Sequence, residues 1–160
     1  MSLQSPVSSD HQLARLLQIG VVLEEVVEAR AAKHAAETED IDDSIRAFLE
    51  EAAEESAEHR TRLESLVAEL DADTVGFEQI QQLVEEQYEA DQDFDGVLYD
   101  QLCNEETAYK FYDDLIEAIE ASDAEFSIEM DRLLSVLVEI REEEKEGVEE
   151  VTALMEEGAE

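Results

Sequence analysis

Apolar residues recur every three to four positions along most of the chain, and no stretch alternates with a period of two. The pattern therefore predicts helices and no strands. Residues 1–8 read as a short polar tail. From Ser9 or Asp10, either able to cap a helix, a stripe of Leu13, Leu17, Gly20, Val27, Ala31 and Ala35 runs on to about Glu39. A second helix, from Asp42 or Asp43 to about Leu70, carries Ile45, Phe48, Ala52, Leu63, Leu66 and Leu70. A shorter helix is expected from Phe77 to about Glu89, flanked by loops rich in aspartate and glycine. The third long helix, roughly Val97 to Ala121, gathers Leu98, Leu102, Ala108, Tyr112, Ile116 and Ile119, with Phe94 just before it. Ser122 or Asp123 is expected to cap the fourth, which runs to about Glu157 with Phe126, Leu133, Leu137, Ile140, Val148, Val151 and Met155 on one face. The expected architecture is an all-α four-helix bundle of two αα-hairpins with a short crossover helix, a single domain over residues 9–158.

Each of the four stripes also holds an ionisable residue. At about 100° per residue, Glu24 lies inside the first and His59 inside the second, with Ser56 beside it and Glu55 at its edge. Glu105 lies inside the third and Glu144 inside the fourth. An unpaired buried carboxylate costs on the order of several kcal/mol, and three together also repel. Such a group is protonated, reached by water, or neutralised by a cation, and carboxylates with one imidazole suit iron, manganese or zinc. The plain alternative is chance, because a chain with 46 Asp and Glu in 160 residues puts glutamates into apolar stripes often. Tyr109, Phe111 and Tyr112 read as core packing, Tyr112 also within reach of a site at Glu105. Cys103 reads as an inert, half-buried thiol, and His11 and His34 as solvent-facing residues near the ends of the first helix.

Charge narrows the functional classes. With 46 acids against 10 Lys and Arg the formal charge is −36, which repels nucleic acid and anionic membranes. The 44% of apolar residues is nevertheless enough for a core, which argues against disorder. No apolar run approaches the roughly 18 residues of a membrane span, and Met1 to Asp10 lacks the basic start and apolar stretch of a signal peptide. Cys103 is a lone cysteine, so neither an internal disulfide nor a CxxC knuckle is available. The expectation is a cytoplasmic protein. Only Lys33, Lys110 and Lys145 are lysines, and an acidic, lysine-poor surface fits a halophile, where molar salt screens repulsion to within about 3 Å. The rival reading is an acidic patch that gathers cations for a buried site.

Three stretches carry a family resemblance: Glu54-Glu-Ser-Ala-Glu-His-Arg-Thr-Arg-Leu63, Asn104-Glu-Glu-Thr-Ala-Tyr-Lys-Phe-Tyr112 and Ile140-Arg-Glu-Glu-Glu-Lys-Glu-Gly147. Through them the chain resembles the ferritin-like superfamily, its rubrerythrin branch in particular, over residues 10–157. In that family a Glu from each of two helices joins a Glu-x-x-His pair from each of the other two to hold two metals. The resemblance implies that Glu105 is the third helix's ligand and Glu24 the first's, with Glu25 and Glu28 as register rivals. It matches His59 to the second helix's histidine and Glu144 to the fourth helix's glutamate. The chain departs from the pattern at Ser56, where a glutamate is expected, and at Gly147, where a histidine is expected. Glu55, one turn before His59, is a substitute ligand, and restoring the pair as Ser56→Glu with Gly147→His is expected to complete a two-metal site. The resemblance further implies one or two iron ions, manganese or zinc being alternatives, and a homodimer. It lacks the four-cysteine iron–sulfur module of full-length rubrerythrins, so a redox cycle needs a separate electron donor.

Two functions follow as expectations. In one, Glu24, His59, Glu105 and Glu144 hold metal for iron handling or for oxidoreductase chemistry with oxygen or peroxide. In the other, the bundle keeps the fold, has lost the chemistry, and serves as an interaction or regulatory protein.

Overall fold

A computed structural model describes residues 7–72, 82 and 96–157. It contains four long helices: α1 (Asp10–Glu37), α2 (Asp43–Glu69), α3 (Val97–Glu120) and α4 (Met130–Glu156), with no strand among the described residues. The expected crossover helix from Phe77 to Glu89 falls outside them, apart from Gln82.

α1 begins where the side chain of Ser9 accepts the Gln12 N–H at 3.1 Å, so Ser9 and not Asp10 is the cap. Asp10 instead accepts the Ser127 N–H at 3.1 Å and ties the start of α1 to the α3–α4 connection. The turn after α1 passes through Asp40 at φ 62°, a left-handed position that aspartate tolerates better than most residues. Gly96, at φ 110°, sets the entry to α3 in backbone space that side-chain-bearing residues rarely adopt.

The start of α4 differs from expectation. The helix begins at Met130, and the segment from Ser122 to Glu129 crosses the end of the bundle. Ser122 turns back on its own backbone, accepting the Ala124 N–H at 3.0 Å, and Ser127 Oγ accepts the Asp71 N–H at 2.8 Å. Ile128 is buried from this segment and Phe126 packs against the same core, so tertiary packing takes residues that helical periodicity had claimed for α4.

The bundle is closed by antiparallel neighbours. α1 packs along α2 and α3 along α4; α1 also touches α3, and α2 touches α4. Glu28–Arg60 at 2.6 Å fixes the first pair and Asp113–Arg141 at 3.1 Å the second. The hydrogen bond from Val7 N–H to the Ala118 carbonyl and the Glu69–Arg132 ion pair show that α1/α3 and α2/α4 are antiparallel as well. α2 and α3 therefore run parallel on a diagonal.

Two apolar clusters fill the interior. The larger includes Leu13, Leu17, Leu63, Leu66, Leu115, Ile119, Leu133 and Leu137; the smaller holds Ile45, Leu49, Val97, Leu98 and Val151 at the opposite end. A belt of buried polar residues lies between them.

Candidate metal centre

Glu24, His59, Glu105 and Glu144 are all buried, at 0%, 0%, 5% and 2% exposure, while Glu25 and Glu28 are partly open and Glu106 is exposed. Helical register accounts for the contrast: a one-residue step turns the side chain by about 100°. The structure brings three of the four together. Donor atoms of Glu24 (α1), His59 (α2) and Glu144 (α4) lie within 4.8 Å of one another. His59 Nδ1 stands 3.0 Å from Glu144 Oε1 and 3.4 Å from Glu24 Oε2. Tyr112, from α3, donates its hydroxyl to Glu24 Oε2, so the tyrosine is both core packing and a partner of the site.

Glu105 sits alongside this triad and not within its 4.8 Å circle. Gln101, one turn earlier on α3, donates to Glu105 Oε1 at 2.7 Å. The other oxygen points at Gly147, where a Cβ would lie 2.4 Å from Glu105 Oε2. Ser56 is buried, in keeping with its place in the apolar stripe of α2. Gly147 lies beside Glu105, and a side chain at 147 requires the end of the Glu105 side chain to shift.

Sequence reasoning missed Glu143. It accepts from His59 Nε2 at 2.8 Å and is also paired with Arg62 at 3.5 Å. Its signal was the adjacency of α2 and α4, which turns two successive α4 residues toward opposite edges of one imidazole. Gln101 was more accessible, as an i, i+4 partner of Glu105. His34 is a correction: it is buried, with Nε2 2.9 Å from Asp100 Oδ2, and Arg30 lies 3.3 Å from the same carboxylate. Asp100 reaches it from α3, a contact that the α1 pattern alone does not reveal. His11 is exposed and Cys103 half-buried, as expected.

The electrostatics of the metal-free centre are those of a proton trap. Burial opposes charge on His59, but its hydrogen bonds to Glu144 and Glu24 and their negative charge outweigh it and push its pKa up to about 11. Burial, then the Glu24 charge, lifts Glu144 well above the usual carboxyl range, and burial raises Glu105. Burial and the Glu24 charge do the same for the Tyr112 hydroxyl. His59 as an imidazolium thus supplies the positive charge among these acids.

The donor set fits a metal ion. Glu24 Oε1 is buried with no hydrogen-bond partner, an orphan that a cation would satisfy. Two carboxylates and one imidazole are the mixed oxygen–nitrogen set of iron, manganese and zinc sites. Neither a family model, nor a curated protein, nor a solved structure matches the chain.

Proposed function

We propose that this chain is a ferritin-like metal-binding protein, with iron as its first candidate ion, held in the bundle core by Glu24, His59 and Glu144 with Glu105 alongside. The observation that carries the reading is the convergence of three helices on one buried cluster of donor atoms, one of them an orphaned carboxylate oxygen. The helix order supports it too, because ferritin-like bundles have one long crossover between parallel diagonal helices. Bound iron would supply one-electron chemistry toward oxygen or peroxide. The chain's own residues would position the metal, exclude bulk water and hold Glu24 through the Tyr112 hydroxyl. With one cysteine in the chain, electrons would come from a separate donor.

Titration with cobalt(II), followed by its visible absorption, tests the reading. About one ion per chain is expected, with affinity lowered roughly tenfold or more by Glu24→Gln or Glu144→Gln and unchanged by Glu106→Gln, which is exposed. Absence of a saturable cobalt spectrum overturns it.

A second reading has its own observation. His59 already neutralises its neighbours and has acid partners on both ring nitrogens, Glu144 and Glu143. On that reading the imidazolium is the resident cation and the bundle is a non-catalytic interaction protein. Wild-type protein that binds no cobalt yet melts at a much lower temperature as His59→Gln supports it.

A further inference from the structure

Of the four ionisable residues that the apolar stripes carry into the core, three share one cluster of donor atoms and Glu105 stands outside it. Glu105 is nevertheless buried and held on several sides. Gln101, one turn earlier on α3, donates to its Oε1 at 2.7 Å, and the carboxyl group is hydrogen-bonded to Glu144 of the triad. Its far end rests against α4 at Gly147, one turn beyond Glu144, where no Cβ stands in the way. Gln101 makes this seat hard to leave. Its side chain is fully buried, its own Oε1 has no hydrogen-bond partner, and among the described residues Glu105 is the partner of its amide nitrogen. Were Glu105 to swing into the triad, the Gln101 amide would be left with neither end paired in a dry interior, which is costly.

We propose that Glu105 is a positioning residue and not a metal ligand: tethered by Gln101, it orients the Glu144 carboxylate, and the centre holds a single ion on Glu24, His59 and Glu144. The proposal rests on the core reading above and narrows it, since the family resemblance makes Glu105 a ligand. In the metal-free centre Glu144 Oε1 lies 3.0 Å from His59 Nδ1. An ion shared by those two atoms takes the place of that contact, and Glu105 is then the hydrogen-bond partner that keeps Glu144 aimed at the cluster. Partners of this kind fix the orientation of a ligating carboxylate, and losing one lowers metal affinity by about 10–100-fold while the ligand set stays the same. Three protein donors also leave coordination open to an outside ligand, as in catalytic zinc sites, whereas structural sites are closed.

The probe is cobalt(II), titrated into the full chain, with affinity and the shape of the visible spectrum read together. Glu105→Gln keeps the size of the side chain and offers an amide N–H to Glu144, so it should retain the wild-type spectrum and an affinity within about threefold. Glu105→Ala removes the contact and should weaken binding roughly tenfold or more, again with the wild-type spectrum at saturation. Glu144→Gln alters a ligand and should shift or abolish the spectrum. Circular dichroism confirms that each variant is folded. A Glu105→Gln spectrum changed in the manner of Glu144→Gln shows a ligand and overturns the proposal. Wild-type affinity in Glu105→Ala, or more than one ion per wild-type chain, overturns it as well. Each of these outcomes leaves the core reading standing, whereas a wild type without a saturable cobalt spectrum overturns both.

Discussion

At position 147 a hydrogen stands where other helix residues carry a Cβ, and the Glu105 carboxylate lies in that space. Alanine for a mid-helix glycine ordinarily stabilises by up to about 1 kcal/mol. Here Gly147→Ala is expected to lower the melting temperature, because Glu105 is buried and tethered by Gln101 and must move. A higher melting temperature would show that the carboxylate swings clear at little cost. Tyr112 gives a second test. Tyr112→Phe keeps the packing but removes the hydroxyl that donates to Glu24, stranding part of a buried carboxylate. A loss of about 1–3 kcal/mol is expected in metal-free denaturant unfolding. Periodicity alone identified Glu24, His59, Glu105 and Glu144 as buried, because side chains in an apolar stripe share the fate of the stripe, but it missed Arg30, His34 and Asp100. Their pairings were not legible: Glu143, His34 and Asp100 find partners across helix interfaces, and a single-helix pattern carries no information on neighbours.

The helices themselves were legible to within a few residues at most ends, since the same stripes that face the core define their extents. The start of α4 was the exception. Ser122 and Asp123 have the chemistry of a helix cap, yet Phe126 and Ile128 bury themselves by crossing the bundle end, a gain no local propensity registers. Cap geometry also separates residues that look alike in the sequence. Ser9→Ala is expected to cost about 1 kcal/mol, because the Ser9 side chain accepts the Gln12 N–H. Asp42→Ala should cost distinctly less, because Asp42 makes no side-chain cap bond at the start of α2. Urea midpoints of the two variants provide the comparison, and equal losses would contradict the assigned caps.

For the molecule as a whole, charge and buried protons act in the same direction. Glu55 is raised from 4.5 to about 7, chiefly by burial, and Glu105 and Glu144 are raised too. Each is a carboxyl that holds its proton more tightly folded than unfolded, so its penalty appears as pH rises above about 4.5. His59 is raised from 6.5 to about 11; its contribution is complete below the unfolded value and is lost as pH climbs through the folded one. These groups make the folded state bind more protons between about pH 5 and 11, and metal-free stability should fall as pH rises through that window. A melting temperature higher at pH 9 than at pH 6, in constant salt, would contradict this. The −36 net charge adds self-repulsion, so the melting temperature should also fall on dialysis from molar potassium chloride to dilute buffer. No helix among the described residues is long and apolar enough to cross a membrane.

The polar belt between the two apolar clusters acts as a seam. Side chains above and below it belong to different apolar clusters, so the smaller lobe around Ile45, Leu49, Leu98 and Val151 is expected to open ahead of the larger. Amide hydrogen exchange should accordingly be faster at residues 45–49 and near Val151 than at residues 63–66 and 133–137. An ion bound by α1, α2 and α4 would stitch the seam, and the two exchange rates would converge.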